Sequence, residues 1–181
     1  KRFGEIPAAG PLEPIDEELL SAIRGGFDTV GALIERQRFK AGIGEVMRLV
    51  GLANAYVSAT EPFKLKGDDQ RERLGTVLHV LAQAVVDLAT LSAPFLPHGA
   101  NRIHRIMGGE GDLVPMPELR EVADLDDGRA YPVIMGDYSS TPRWASRPVV
   151  PGTSIGPPTP VFTKFDPSVV DEEIARMRAD G

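Results

Sequence analysis

The chain has 181 residues, no cysteine and a formal net charge of −6, and 42% of its residues are hydrophobic. The missing cysteines exclude a disulfide scaffold and a cysteine-based zinc site, and the acidic balance argues against coating nucleic acid through bulk positive charge. No stretch approaches the ~20 uninterrupted apolar residues of a membrane helix, and the N-terminus has no signal-peptide core, so we expect a soluble, cytoplasmic protein.

Apolar residues recur every three or four positions through the first two-thirds of the chain, which predicts helices. The segment 1–3 reads as the last turn of a helix, capped by Gly4. Further helices are predicted over residues 16–35, 39–58, 70–92 and 97–107. The Gly25-Gly26 pair weakens the first of these, because glycine disfavours a helix interior.

The composition changes after residue 107. Residues 108–160 contain 16 glycines and prolines in 53 positions, so we expect little regular structure there. A loop of that length inside a compact domain is usually functional, disordered or docked on another surface. Asp166-Pro167 then has the residue types of a helix start, which predicts a final helix to about residue 177.

Motifs for bond-making chemistry are weak in this sequence. His79, His98 and His104 lack the spacing and nearby carboxylates of a metal site, so a structural or solvated role is favoured. No glycine-rich phosphate loop opens a helix. The acidic runs 16–18 and 171–173 lie at helix N-termini, where the helix dipole already accounts for acidic residues.

One local feature could bind RNA. Phe63 follows Pro62 at a predicted helix end, and the basic residues around it are Lys64, Lys66, Arg71 and Arg73. An exposed aromatic beside cations suits an unpaired base, which stacks on the ring while its phosphate meets the charge. The alternative is that Phe63 packs under the next helix, and residue chemistry alone favours that alternative. A second basic group, Arg36, Arg38 and Lys40, lies between two predicted helices.

Four stretches resemble the C-terminal part of bacterial methionyl-tRNA synthetases, which are class I aminoacyl-tRNA synthetases. They are KRF at 1–3; QRF, EVM, LANAYV and EPFK between 37 and 64; PFLPH and IHRIMG between 94 and 108; and PGTSIGPP and PVFTKFD between 151 and 166. They occur in the family's order, and only residues 110–147 remain unmatched.

The resemblance implies an all-α fold: the anticodon-binding helical bundle of class I synthetases, a long Pro/Gly-rich irregular segment and a C-terminal helix. The implied domains are a bundle at 1–108 with a truncated first helix, an irregular traverse at 109–159, and a segment at 160–181 that docks toward the catalytic domain. Pro62 and Phe63 match the family's anticodon site, where the aromatic stacks on the wobble cytosine. Lys64, Lys66 and Arg71 are weaker candidates for contacts to the RNA backbone.

The implied partners are the CAU anticodon of methionine tRNA and the catalytic domain of a longer parent, with no DNA and no membrane. The parent would use ATP, methionine and Mg²⁺, and its zinc content stays open. We expect no catalytic residue, cofactor or metal site in this chain, because every matching element lies C-terminal to the family's adenylate-forming signatures. The resemblance also implies that the family's base-reading Asn and Arg belong before Lys1. Where the family usually has Trp, this sequence has Phe63. Phe keeps a stacking face but loses ring area and the indole donor.

Two other functions remain open at this point. One is a helical structural or protein-interaction module without RNA contact, which the net charge of −6 favours. The other is the anticodon-binding domain of a related class I synthetase.

Overall fold

A computed structural model describes residues 3–124, 128–136 and 143–179. Within them the elements are α1 (Pro14–Glu35), α2 (Phe39–Thr60), α3 (Arg71–Ser92), α4 (Pro97–Ile106), β1 (Glu118–Ala123), β2 (Ala130–Met135) and α5 (Ser168–Ala179). The predicted helices are present, and their ends differ from the predicted ones by no more than two residues. The predicted helix end at 1–3 falls mostly on Lys1 and Arg2, which lie outside the described residues.

Helix α3 is the centre of the bundle and packs against α1, α2 and α4. It is long and apolar enough in composition to cross a membrane, but most of that stretch is buried inside the molecule, as in the core helix of a bundle. The core side chains recur at the helical spacing and come from the first three helices: Leu19, Ile23, Val30, Val46, Leu49, Val77, Val80 and Leu91.

The glycine pair in α1 does not interrupt the helix, and its two members have different surroundings. A Cβ atom added to Gly26 would lie 2.5 Å from Leu49 Cδ1 and 3.2 Å from Leu91 Cδ1. At this crossing α1 can approach its neighbours closely only because Gly26 has no side chain. Gly25 faces outward, and a Cβ atom added there would meet no neighbouring side chain within 4 Å.

The segment 143–150 lies across α1 and α3, held by side chains of the bundle. The Trp144 indole Nε1 donates to the Phe27 carbonyl over 2.9 Å, and the two rings meet edge to face at 5.5 Å. On α3, the Gln83 amide donates to the Arg147 carbonyl and accepts from the Val149 N–H, each over 2.9 Å. These bonds satisfy backbone groups that have no secondary structure of their own.

The first residues of the chain run side by side with residues 152–154, which follow this segment. The Ile6 N–H donates to the Thr153 carbonyl over 2.9 Å, and the Gly152 N–H donates to the Ile6 carbonyl over 2.8 Å. Ile6 is buried, and the Gly156 N–H continues to the Ile106 carbonyl at the end of α4. The N-terminal segment is therefore fixed between α3, α4 and residues 152–156.

The region 109–159, predicted to be irregular, contains a hairpin that the sequence did not indicate. Strands β1 and β2 pair antiparallel, with Leu119 opposite Ile134 and Glu121 opposite Pro132. Every residue of both strands is exposed, so no buried face produces a clear apolar alternation. Pro132 also argues against a strand in sequence, although an edge position tolerates it.

We predict opposite effects of alanine at the two glycines of α1. Gly26→Ala should lower the free energy of unfolding by ~1–3 kcal/mol, because the new methyl group overlaps Leu49. Gly25→Ala is the matched control and should raise it by ~0.4–1 kcal/mol, since the methyl meets open space and restricts the unfolded chain. Urea unfolding of both variants measures the difference, and equal changes would contradict the close crossing.

Candidate nucleic-acid interface

The turn after α2 places Pro62 and Phe63 at the end of the bundle. Glu61 has φ 42° and ψ 54°, a left-handed conformation that is uncommon for a residue with a side chain. Its N–H donates to the Val57 carbonyl over 3.0 Å, and the Lys64 N–H donates back to the Glu61 carbonyl over 2.8 Å. Pro62 has a fixed φ, so the turn has little freedom.

Phe63 is 63% exposed, so most of its surface is open to solvent. The ring borders an apolar groove of about 750 Å³ that runs along α3. The groove lining includes Phe3, Pro62, Leu74, Leu78, Leu81, Val85, Met107 and Ile155. Residue chemistry alone favours packing of Phe63 under the next helix. That expectation is wrong, because most of the Phe63 surface is exposed.

The cations near Phe63 are partly engaged within the protein. The Lys64 ammonium lies 2.7 Å from a Glu61 carboxylate oxygen. The Arg71 guanidinium lies over the Phe3 ring, 5.0 Å from its centroid, in a cation–π contact. Lys66 is exposed on the same turn. The structure therefore brings Pro62, Phe63 and these three cations to one end of the bundle.

Arg73 is different, because it is half-buried and pairs with a buried carboxylate. Its guanidinium makes a two-pronged hydrogen-bonded pair with the carboxylate of Asp16, which has 0% exposed surface, and its Nε lies 3.2 Å from Glu13. The Tyr56 hydroxyl donates to Asp16 Oδ1 over 2.6 Å, and the Glu13 N–H donates to Oδ2 over 2.9 Å. We call Asp16, Tyr56 and Arg73 the Asp16 cluster.

The cluster shifts the acidities of two of its members. Burial by itself raises the pKa of Asp16, but hydrogen bonds from Arg73, Tyr56 and the Glu13 backbone outweigh it and hold the pKa below the ordinary value of 3.8. Burial, followed by the hydrogen bond to the Asp16 carboxylate, raises the pKa of Tyr56 well above its ordinary value of 10.0.

The second basic group lies at the far end of α2. Arg36, Arg38 and Lys40 are exposed around the turn between α1 and α2, and Phe39 beside them is 56% exposed. At ~1.5 Å per residue, the length of α2 separates this corner from the Phe63 turn by roughly 30 Å. The two basic regions do not form one patch.

The three histidines have separate surroundings. His79 Nδ1 lies 2.9 Å from the Pro7 carbonyl, His104 Nε2 lies 3.2 Å from the Glu110 carbonyl, and His98 is exposed. In the part of the chain that the structure describes, no three His, Cys, Asp or Glu side chains are grouped as metal ligands.

A family model described as the anticodon binding domain of methionyl tRNA ligase matches residues 6–136. The chain belongs to this family. The match confirms the resemblance seen in the sequence and its helical fold class, and it decides for the methionine family over related class I synthetases. It also includes the hairpin β1–β2, which the sequence motifs left unmatched.

Curated methionine–tRNA ligases are similar to this member over almost its whole length. The ligase of Nocardioides sp. (strain ATCC BAA-499 / JS614) is 54% identical over 99% of this chain and 30% of its own length. The ligase of Kineococcus radiotolerans is 56% identical over 98% of this chain and 30% of its own length. The chain thus spans about 30% of these relatives.

Solved structures support the fold. The free form of Mycobacterium tuberculosis methionyl-tRNA synthetase superimposes with a TM-score of 0.68 over 91% of this chain and 28% of its own, at 22% identity. A structure of that synthetase in complex with methionyl-adenylate gives a TM-score of 0.66 over 89% of this chain.

Sequence reasoning missed two contributions to this end of the bundle. Phe3, read as part of a helix end, lies under Arg71 and borders the same groove as Phe63. Asp16 and Tyr56 were treated as a dipole-favoured acid and as part of a family motif, whereas they form a buried cluster with Arg73. The only signal was an acid at a helix start and a distant Arg, 57 residues apart.

The Asp16 cluster predicts how stability depends on alkaline pH. Because the folded pKa of Tyr56 is raised, its contribution to the free energy of unfolding is complete below pH 10 and declines as the unfolded tyrosine ionises above it. Above that pH, Tyr56 lowers the free energy of unfolding by up to ~1.4 kcal/mol per pH unit, and Tyr56→Phe should abolish this part of the slope. Urea unfolding of both proteins between pH 9 and 11 measures the slopes, and identical slopes would show that Tyr56 does not stay protonated in the fold.

Proposed function

We propose that this anticodon-binding domain holds the CAU anticodon of methionine tRNA for a methionine–tRNA ligase. The observation that carries the proposal is the exposed Phe63 ring on the fixed Glu61-Pro62 turn, in a chain of this family. A base stacked on an aromatic ring contributes ~1–3 kcal/mol, and a ring held on a rigid turn loses little freedom on binding.

The net charge of −6 is compatible with this role. A single stacking site with a few hydrogen bonds needs no broad positive surface, in contrast to a protein that follows an RNA backbone. Lys64, Lys66 and Arg71 add weaker contacts to phosphates near the stacked base. Lys64 pairs with Glu61 and Arg71 lies over Phe3, so each would give up part of an internal contact to meet a phosphate.

We infer that the parent activates methionine with ATP and Mg²⁺ and transfers it to the tRNA in the cytoplasm. We propose that these groups bind in the catalytic domain of the parent, to which the family's adenylate-forming signatures belong. Binding the anticodon at Phe63 would orient the distant acceptor end of the tRNA, so the domain adds specificity without a bond-making group.

The proposed domain division keeps residues 1–108 as the bundle, 109–159 as a traverse and 160–181 as a segment that docks on the catalytic domain. Exposed apolar side chains support the docking, among them Phe162 at 63%, Phe165 at 75%, Val170 at 62% and Met177 at 67%. The proposed bundle also includes a helix that precedes Lys1 and packs along α3. The apolar groove beside Phe3 and Phe63 supports this helix.

The alternative function is a helical interaction module without RNA contact. The exposed apolar residues of the hairpin, such as Leu119 at 74% and Ile134 at 70%, favour that alternative. The two functions differ in what they require of Phe63, since only RNA recognition needs its ring face.

We predict that Phe63→Ala in the parent lowers kcat/KM for aminoacylation of methionine tRNA by ~10–100-fold, as the loss of one stacked base implies. Phe63→Trp keeps the stacking face and should retain most of the activity. Phe39→Ala is the matched control, because Phe39 is also an exposed Phe but lies at the opposite end of α2.

Steady-state aminoacylation and methionine activation without tRNA are measured for each variant. If Phe63→Ala and Phe39→Ala give the same small change, the helical interaction module becomes the better function. If activation and aminoacylation fall together, Phe63 acts by packing.

For the docking segment, we predict that a double change of Phe165 and Met177 to Ala lowers the thermal stability of the parent but not that of the isolated chain. In the isolated chain both side chains are exposed, and such changes usually stay within ~0.5 kcal/mol. Covered by a catalytic domain, each would contribute ~1.5–3 kcal/mol. Calorimetry of both proteins makes the comparison, and an equal shift in the two would contradict docking.

A further inference from the structure

The segment that carries Phe63 has both of its ends tied to one carboxylate. Residues 61–70 connect the end of α2 to the start of α3. Tyr56, in the last part of α2, and Arg73, in the first turn of α3, both bind the buried Asp16 of α1. Asp16 thereby sets the separation of the two helix ends between which Phe63 is presented.

These bonds are directional, which distinguishes them from the apolar packing around them. The Asp16 carboxylate receives hydrogen bonds from the Tyr56 hydroxyl, from two nitrogens of Arg73 and from the Glu13 backbone. A buried ion pair is weak evidence for stability, because desolvation offsets much of the attraction. It does fix one arrangement, since each donor has a required direction and distance.

A short series of hydrogen bonds to backbone carbonyls links Tyr56 to the Phe63 turn. The Thr60 hydroxyl donates to the Tyr56 carbonyl over 2.8 Å, the Glu61 N–H donates to the Val57 carbonyl over 3.0 Å, and the Lys64 N–H donates to the Glu61 carbonyl over 2.8 Å. On the α3 side, Leu74 follows Arg73 directly and borders the groove together with Phe63.

We propose that Tyr56, with Asp16 and Arg73, is a positioning residue for RNA recognition: the Asp16 cluster holds the Phe63 ring at the place where the base stacks. This inference rests on the proposed function, because it needs Phe63 to contact RNA. The cluster touches no RNA itself and acts only through the turn.

The test uses Tyr56→Phe in the full-length parent, since this change removes the hydroxyl and keeps the ring. We expect the KM for methionine tRNA to rise ~3–10-fold, as the loss of one buried hydrogen bond implies, with kcat nearly unchanged. Ser146→Ala is the matched control: its hydroxyl also donates to a buried carboxylate, Asp87 Oδ2 over 2.8 Å, but far along α3 from the turn. The control should leave this KM unchanged.

A double-mutant cycle with Phe63→Ala separates positioning from stability. If the cluster acts through Phe63, Tyr56→Phe should change the KM less than ~2-fold in the Phe63→Ala background, because coupled residues are non-additive. The same 3–10-fold increase in both backgrounds would overturn the inference and leave the cluster a purely structural role. A rise in KM for Ser146→Ala that equals the rise for Tyr56→Phe would overturn it as well.

Arg73→Lys keeps a charge near Asp16 but loses the two-pronged geometry, and it replaces Tyr56→Phe if that variant unfolds at the assay temperature. It should give the same pattern of effects on KM. Failure of the proposed function can be told apart from failure of this inference. The Phe63→Ala single variant alone tests the proposed function, through its kcat/KM for aminoacylation. If Phe63→Ala lowers kcat/KM while neither cluster variant raises the KM, anticodon recognition stands and the positioning role is wrong.

Discussion

The carboxylate of Asp16 is the constraint on which the arrangement of the first three helices depends. It is fully buried in α1, and although burial raises its pKa, the hydrogen bonds from Arg73 of α3, Tyr56 of α2 and the Glu13 backbone hold that pKa below the ordinary value. The close-packed apolar core holds the same helices together, as the tight fit around Gly26 shows. The Asp16 cluster adds directional hydrogen bonds at one end of the bundle, and this is the end that presents Phe63.

The chemistry of that end is mainly aromatic. Glu61 adopts a left-handed backbone and Pro62 a fixed one, and Phe63 on this turn is 63% exposed. The neighbouring cations are not a free positive patch, since Lys64 pairs with Glu61 and Arg71 lies over Phe3. A chain with a net charge of −6 is therefore compatible with the proposed stacking site, because stacking on a ring needs less positive charge than following an RNA backbone does.

The helices were predictable because they repeat a local rule: apolar residues at every third or fourth position place one face in the core. The candidate aromatic was predictable as well, since Pro62 marks a helix end. Its exposure was not, because whether Phe63 packs depends on what lies beside α3. Asp16 was assigned to the helix dipole, a sufficient reason for an acid in a first turn, and its partner Arg73 is 57 residues away. The hairpin was missed because neither of its faces is buried and Pro132 interrupts the strand pattern.

The Pro/Gly-rich region covers one face of α3. Residues 143–150 make few hydrogen bonds with one another. Their backbone groups bond instead to the side chains of Gln83 and Asp87 of α3, so that face of α3 is covered. The face with Leu81 and Val85 is left open as the apolar groove, and Val85 is 38% exposed there. Since Phe63 borders the same groove, any segment that covers it also limits the positions open to the ring. Burial of the groove and presentation of the aromatic are therefore linked.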